Sequence, residues 1–271
     1  MRQFILPGDW DGGPRCLVEG GRARYVARVL RLGPGDSFPG LDSGGRPWTC
    51  TVLETEGSRL LLSVGPAAGA PSSAAEPSPA AGRAPDEEPL TPIVLVQSLL
   101  KAAKMDLVVR QATEAGVSAL VPLLASRSVA QGEEGGASRI GRWERIVTEA
   151  MQQSGSALRT RILEPTRPET LAAVLGSLGL GPSSPRLLLH EAPLAQSSMH
   201  GYLTEAPAAV ALCVGPEGGF SPGEVELLLA EGFMPLRLAG AILRAETAAL
   251  YAVAAVRIIL SERSSWIPKP R

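Results

Sequence analysis

The chain has 271 residues, a length that suits one large domain or two ordinary ones. Hydrophobic residues make up 45% of it and charged residues 20%, a balance that excludes a wholly disordered protein. The net charge of −1 excludes a protein that is basic throughout, so any contact with nucleic acid must rest on local arginine clusters. No apolar run reaches the roughly 18 residues of a membrane span, and the N-terminus lacks the apolar core of a secretion signal, so we expect a cytoplasmic protein.

Cysteine and histidine are too few and too scattered for a metal centre. The cysteines Cys16, Cys50 and Cys213 are far apart and form no CxxC pair, and only His190 and His200 could supply imidazole. The sequence therefore predicts three reduced thiols and no bound metal.

The first 66 residues predict a small β-barrel. A helix is expected between residues 21 and 32, where Tyr25, Val26, Val29 and Leu30 recur at helical spacing. Short β-type runs are separated by turn clusters; the runs are residues 4–6, 48–54 and 58–64, and the turn clusters are residues 35–40 and 42–47.

Residues 67–92 are rich in proline, alanine and serine and poor in large apolar side chains. Such a segment cannot bury enough surface to offset the entropy lost on ordering. We interpret it as a flexible linker or a disordered insertion.

Residues 93–271 predict an α/β domain, because strand and helix patterns alternate along them. Repeated βα units imply a parallel sheet covered on both faces. Gly116 and Gly155 are placed to end the first two helices. Strands are expected at 93–96, 119–123, 161–163, 187–190, 210–214 and 236–238, and helices at 105–115, 142–154 and 246–261.

The segment GPEGGFSPGE, residues 215–224, follows one of these strands and is the most distinctive loop of the chain. Its glycines let the backbone approach a ligand, and Ser221 with Glu224 forms a capping box with Pro222 at the first helical position. A tight turn that binds nothing explains the spacing equally well. A phosphate loop is disfavoured, because no Gly-Lys-Ser/Thr follows and Glu217 would repel phosphate.

Two other loops follow strands in the same way. Ile242 and Leu243 could line an adenine pocket or could simply pack in the core. Arg244 and Glu246 could be functional or a solvated charge pair at a helix start. His190 ends a predicted strand, and a single histidine at the end of a strand is more often structural than catalytic.

Several motifs together resemble one family. The strings GPEGGFS and ILRAETA, with KMDLVVRQATEAGV, RWERIVTEAMQQSG and RVLRLGPGD, are similar to those of the bacterial 16S ribosomal RNA uridine N3-methyltransferases of the SPOUT class. The resemblance implies a PUA-like β-barrel, an α/β domain with a trefoil knot, and bound S-adenosylmethionine. It also implies a homodimer with its active site at the interface, acting on 16S ribosomal RNA in the assembled small subunit.

The resemblance also implies which residues bind the methyl donor. We expect Gly218 to occupy a position where a side chain would intrude on the donor or strain the loop. The usual Leu-Gly-x-Arg-Ile-Leu-Arg pattern of the last loop is broken here by Ala239 and Ala241. The implied donor-binding residues are Leu189, His190, Gly215, Pro216, Glu217, Gly218, Gly219, Leu238, Gly240, Ile242, Leu243, Arg244 and Thr247.

For catalysis, Arg244 is expected to stabilise negative charge on the uracil oxygens, and Glu246 to accept a proton or to hold Arg244. RNA backbone contacts are expected from Arg22, Arg24, Arg28, Arg31, Arg139 and Arg142, although these could also be solvated helix faces. The final helix, with Leu250, Val253, Ala254, Arg257 and Ile258, is expected to contribute to the dimer contact.

Two other functions are compatible with parts of the sequence. One is a catalytically silent RNA-binding protein of the same fold, suggested by the alanines at 239 and 241. The other is an enzyme with a dinucleotide cofactor, which the absence of a G-x-G-x-x-G fingerprint disfavours.

Overall fold

The computed structural model describes residues 4–42, 46–67, 90–128, 136–154, 156, 158–192, 194–204, 207–238, 240 and 242–265. The chain divides into two compact units. The first contains Met1–Glu87 and Met151–Arg159, and the second contains Glu88–Ala150 and Thr160–Arg271. The predicted linker falls largely on residues 68–89, outside the described residues.

The first unit is a five-stranded sheet with one short helical stretch. The sheet order is β1-β3-β4-β5-β2, antiparallel except for the β1–β3 pair. Its elements are β1 (Phe4–Ile5), β2 (Arg15–Glu19), α1 (Gly20–Arg24), a π-helical segment (Tyr25–Val29), β3 (Ser37–Leu41), β4 (Pro47–Glu56) and β5 (Arg59–Pro66).

Alternate residues of these strands form the core of the unit. The rings of Phe4 and Phe38 meet edge to face at 5.4 Å, and Val18, Leu60 and Leu62 are fully buried. This alternation is typical of an antiparallel sheet with one covered face.

Three predictions for this unit are corrected. The helix begins at Gly20 and its second half is π-helical, with the Leu30 amide bonded to the Tyr25 carbonyl at 3.0 Å, so helical spacing misjudged its length. Ser37–Leu41 is a strand, where we expected a turn cluster. Arg15–Glu19 is a strand that no pattern had predicted.

The second unit contains a six-stranded sheet that is parallel throughout, in the order β11-β9-β10-β6-β7-β8. The expected parallel α/β sheet is therefore confirmed. The elements are β6 (Ile93–Ser98), α2 (Ala102–Glu114), β7 (Ala119–Leu123), α3 (Gly136–Ser154), β8 (Arg161–Ile162), a 3-10 turn (Pro168–Thr170), α4 (Leu171–Ser177), β9 (Arg186–Leu189), α5 (Met199–Tyr202), β10 (Val210–Val214), α6 (Pro222–Ala230), β11 (Phe233–Leu236) and α7 (Ala245–Ser265).

The central strands are buried on both faces, as their continuous apolar sequences require. All residues of β6, β7 and β10 are buried. On one face Val96 and Cys213 pack with Leu175 and Leu228, which belong to α4 and α6. On the other face α7 lies against β6 and β10, and α2 packs against α7. This double cover is what a parallel sheet needs.

The last strand of the sheet, β11, lies earlier in the chain than the sequence predicted. It runs over Phe233–Leu236, and not over residues 236–238. Gly232, with φ of +81°, turns the chain into it. Pro235 is accommodated because β11 is an edge strand, where a missing N–H group leaves no partner unsatisfied.

Candidate functional site

A cleft of about 1050 Å³ lies at the carboxyl edge of the parallel sheet. The segments that follow β9, β10 and β11 form most of its wall, which is where open parallel sheets bind ligands. The volume is in the range of pockets that hold cofactors and drug-sized molecules. All three loops singled out in the sequence thus line one cleft.

The segment between β10 and α6 is held by its own hydrogen bonds. The Gly219 amide donates to the Pro216 carbonyl at 2.9 Å, and Gly219 has φ of +67°. The predicted capping box is confirmed, because Ser221 and Glu224 each accept the other's backbone N–H. The helix therefore starts at a fixed place beside the cleft.

The glycine prediction for this loop is partly wrong. Gly218 does not have a positive φ; the position that needs glycine for its backbone is Gly219. A Cβ atom on Gly218 would lie 3.3 Å from the Cβ of Arg127, so a side chain there presses on a neighbouring residue. A Cβ on Gly215 would lie 3.2 Å from the Phe220 ring, which explains a glycine at that position too.

Lys104, at the start of α2, neutralises a carboxylate in this loop. Its Nζ lies 2.8 Å from Oε1 of Glu217 and 4.0 Å from Oε2 of Glu246. The hydrogen bond from Lys104 lowers the pKa of Glu217 even though burial acts to raise it, and the same bond raises the pKa of Lys104. Glu217 therefore carries its charge as one partner of an ion pair.

Two residues after β7 also reach this loop, and sequence reasoning missed both. Ser126 donates its amide and its hydroxyl to Glu224, at 2.6 and 3.0 Å. Nη1 of Arg127 donates to the carbonyls of Gly218 at 3.1 Å and Phe220 at 3.4 Å. No local sequence pattern predicts these contacts, because the partners are more than 90 residues apart in the chain.

The segment between β11 and α7 supplies the apolar part of the wall. Leu238, Gly240, Ile242, Leu243 and Arg244 all line the cleft. Ile242 is 85% exposed, which rules out the alternative that it packs in the core. The departures from the family pattern at Ala239 and Ala241 lie outside the described residues.

Two of the predicted site residues do not line the cleft. Glu246 is 8% exposed and faces a small cavity between α2 and α7, where its Oε2 has no hydrogen-bond partner among the described residues. Thr247 is exposed but outside the cleft wall, whereas Ala248 is part of it. On the first turn of a helix, neighbouring side chains point about 100° apart, so adjacency in sequence did not place them together.

The loop after β9 forms a third side of the cleft. Leu189 and His190 both line it, and the His190 amide donates to the Leu236 carbonyl at 3.0 Å. Nδ1 of His190 accepts the Ala192 amide at 3.1 Å, which leaves the other ring nitrogen for solvent or ligand. The Tyr202 hydroxyl accepts hydrogen bonds from the amides of Gln196 and Ser197 in this loop and donates one to the Pro235 carbonyl. These bonds connect the loop to β11.

The arginines predicted to contact RNA are mostly at the surface. Arg24, Arg28 and Arg31 are exposed and Arg22 is half-buried. Arg142, on α3, is exposed but forms an ion pair with Asp106 of α2, so part of its charge is already used within the protein. Arg139 is half-buried.

The three cysteines are free, as predicted, and all three are buried. Burial raises the pKa of Cys16 to about 11 and that of Cys50 to about 12. Within the described ranges, no three metal-ligating side chains come together. No helix in the described part of the chain has the length and apolar character of a membrane span.

The fold and the cleft define an α/β protein with a ligand-sized cleft at the carboxyl ends of its parallel strands. A family model of the RNA methyltransferase domain matches residues 86–257, a range that contains the entire cleft wall.

Named relatives extend this match to both units. The chain is 33% identical to the ribosomal RNA small subunit methyltransferase E of Synechocystis over 240 residues, 87% of this chain and 70% of the relative. It is 29% identical to the protein of the same name from Mycobacterium bovis, over 93% of this chain and 89% of the relative. A crystal structure of the Neisseria gonorrhoeae protein of that name, bound to S-adenosylmethionine, superposes with a TM-score of 0.75 at 25% identity, covering 96% of this chain and 98% of the other. The chain therefore belongs to the RNA methyltransferase family, and within it to the ribosomal RNA small subunit methyltransferase E group.

Proposed function

We propose that the protein transfers the methyl group of S-adenosylmethionine to N3 of a uridine in 16S ribosomal RNA. The observation that carries the proposal is the convergence of the loops after β9, β10 and β11 on one cleft. The loops after β10 and β11 contain GPEGGFS and ILRAETA, two of the motifs whose resemblance suggested the uridine N3 target. We further propose that the substrate is the small subunit in the cytoplasm.

The cleft residues fit the methyl donor. Leu189, Ile242 and Leu243 offer an apolar wall for an adenine ring, and Gly215, Gly218 and Gly219 offer backbone groups with no side chain in the way. The ion pair with Lys104 keeps the charge of Glu217 from dominating a site that must accept a molecule bearing charges of both signs. When bound, S-adenosylmethionine supplies a methyl group on a positively charged sulfur, which leaves as a thioether.

The chain's own residues must position the uracil and stabilise its charge. N3 of uridine holds its proton at neutral pH, so negative charge develops on the ring oxygens as that proton passes to water. Arg244 is exposed at the cleft and is our candidate for stabilising this charge. Because Glu246 is buried and lies near Lys104, we assign it a positioning role at the start of α7 in place of proton transfer.

The domain arrangement belongs to the same proposal. We propose that the first unit is the PUA-like RNA-docking barrel, with Arg22, Arg24, Arg28 and Arg31 as phosphate contacts, and that the second carries the trefoil knot. Arg139 and Arg142 would contribute from α3.

We propose a homodimer whose contact on α7 uses different side chains from those expected from the sequence. Val253 is buried in its own unit, and Arg257 donates to the carbonyls of Thr91 and Gly116, so neither is free for a partner. Tyr251 and Ile258 are 57% and 54% exposed and are the apolar side chains that α7 offers outward. A monomeric mass in light scattering at micromolar concentration would contradict the dimer.

The test of the function compares 16S ribosomal RNA from cells with and without the gene by mass spectrometry of nucleosides. We expect 3-methyluridine to disappear at one position and to return with the parent gene. Arg244→Ala should not restore it, although calorimetry should still detect binding of S-adenosylmethionine. A parent protein that binds RNA but no S-adenosylmethionine would instead support the catalytically silent alternative.

A further inference from the structure

The cleft carries more positive charge than its own acidic residues balance. Its wall contains Lys104, Arg127, Arg237 and Arg244 against Glu191 and Glu217. Lys104 and Glu217 neutralise each other, which leaves three arginines facing Glu191 alone. The whole chain has a net charge of −1, so this surplus is local.

Arg127 is held in a fixed orientation at this cleft. Its Nη1 donates to two carbonyls of the loop after β10, at 3.1 and 3.4 Å, while the residue as a whole remains exposed. A guanidinium group has five N–H donors in a rigid plane, so the remaining donors are oriented before any ligand arrives. Such pre-organisation suits a planar contact with an oxyanion.

Arg237 and Arg244 lie on the opposite side of the same wall, in the segment after β11. Both are exposed, and within the described part of the chain neither side chain forms an ion pair or a hydrogen bond. Two exposed arginines without a carboxylate partner keep their positive charge available to an anion that enters the cleft.

We propose that Arg127 and Arg237 bind phosphates of the RNA strand on either side of the nucleotide that enters the cleft, while Arg244 faces the base itself. This inference rests on the proposed function, since it assumes that the donor occupies the interior of the cleft. A single donor carboxylate needs one arginine, whereas three arginines from two different segments match a uracil ring together with the phosphates beside it. A strand gripped on both sides of one nucleotide is what unstacking its base requires.

The test measures how RNA binding depends on salt. A fluorescently labelled single-stranded oligouridine of 12 nucleotides is titrated with parent, Arg127→Gln, Arg237→Gln and the double variant, from 50 to 300 mM KCl. Each lost phosphate contact on a single strand should reduce the slope of log K against log salt by about 0.7, and the double variant by about 1.4. A merely structural role would lower affinity without changing this slope.

The matched control is Arg161→Gln. Arg161 is an exposed arginine of the same unit, but it starts β8 at the amino edge of the sheet, opposite to the cleft. Its salt slope should equal that of the parent. Glutamine at position 127 keeps an N–H donor for the carbonyls of Gly218 and Phe220. We therefore expect the loop after β10 to keep its conformation in this variant.

Binding of S-adenosylmethionine by calorimetry separates this inference from the proposed function. We expect Arg237→Gln to leave donor affinity within about twofold. Unchanged salt slopes, or no measurable RNA binding by the parent, would overturn the inference. A loss of donor affinity with unchanged RNA binding would overturn it in favour of a carboxylate contact. If the parent bound no donor at all, the proposed function would fail, whatever the salt slopes show.

Discussion

The two loops that form most of the cleft are built in different ways. The loop between β10 and α6 is tied by a capping box, an ion pair to Lys104 and two contacts from Arg127. The described part of the segment between β11 and α7 has few such ties, and it leaves Ile242 85% exposed to water. The first loop is therefore shaped before a ligand binds, whereas the second keeps an apolar side chain whose burial must come from a ligand or a partner.

The two loops should therefore contribute to the free energy of ligand binding in different ways. A pre-organised loop loses little conformational entropy on binding, so its contribution is mainly geometric. An exposed apolar side chain contributes when it is covered, at roughly 25 cal/mol for each Å² removed from water. Substitutions in the first loop should therefore lower stability, and those in the second should lower affinity.

The largest effect is expected from Glu224→Ala. This carboxylate accepts the amides and hydroxyls of Ser126 and Ser221 at 2.6 to 3.0 Å, so its removal leaves several donors unsatisfied. We expect the free energy of unfolding to fall by about 2 to 3 kcal/mol in urea denaturation. Glu226→Ala, on the exposed side of the same helix, is the control and should change it by less than about 0.5 kcal/mol. Equal effects from the two substitutions would mean that the capping network adds nothing.

The effect of Glu224 should depend on pH in a defined direction. Burial acts to raise its pKa, but the hydrogen bonds from Ser126 and Ser221 dominate, and the pKa lies below the ordinary 4.5. A carboxylate with a lowered folded-state pKa stabilises the protein above its unfolded pKa and loses that effect as the pH falls through the folded value. The difference between parent and Glu224→Ala should thus be full at pH 7 and shrink below about pH 4.5.

A smaller effect is expected from Gly219→Ala. No atom lies within 4 Å of the added Cβ, so the cost arises from the φ of +67° alone and should be about 1 to 2 kcal/mol. Gly223→Ala is a close control, because Gly223 lies in the helix with open space around it and a negative φ. We expect that substitution to be neutral or stabilising in thermal unfolding. A Gly219→Ala protein as stable as the parent would show that this loop tolerates another conformation.

The smallest effect on stability is expected from Ile242→Ser, which should change the free energy of unfolding by less than about 0.5 kcal/mol. Donor affinity in calorimetry should fall about fivefold, equivalent to about 1 kcal/mol, because less apolar surface is then covered on binding. Leu229→Ser, a similar change at an exposed residue of α6, should leave donor affinity unchanged. Unaltered affinity in Ile242→Ser would contradict the contrast between the two loops.

The sequence predicted the parts of this site that depend on neighbours along the chain. The capping box of Ser221 and Glu224, the helix end at Gly116 and the buried strand β10 are all local patterns, and the structure confirms each of them. Periodicity could not show that the loops after β9, β10 and β11 line one pocket. That expectation came from the resemblance to the family.

The parts that were missed depend on contacts across the fold. Lys104 meets Glu217 over 113 residues of sequence, and Arg127 meets Gly218 over 91, so no local spacing could reveal either pair. The burial of Glu246 is of the same kind, since it follows from the packing of α2 against α7. In the first unit, a π-helical turn with i→i+5 hydrogen bonds departs from α-helical spacing, and the helix ends at Val29.

The position of β10 in the sheet constrains how the second unit can be synthesised. β6, the first strand of this unit, lies in the sheet between β7 and β10, and Arg257 of α7 holds the carbonyl of Thr91 just before it. One of the two partners of β6 is therefore made more than 100 residues later, so the nascent chain cannot complete its sheet until β10 and β11 have left the ribosomal tunnel. Non-local pairing of this kind slows folding and exposes apolar strand surface in the meantime. We expect the newly made chain to depend on protection from aggregation until its release.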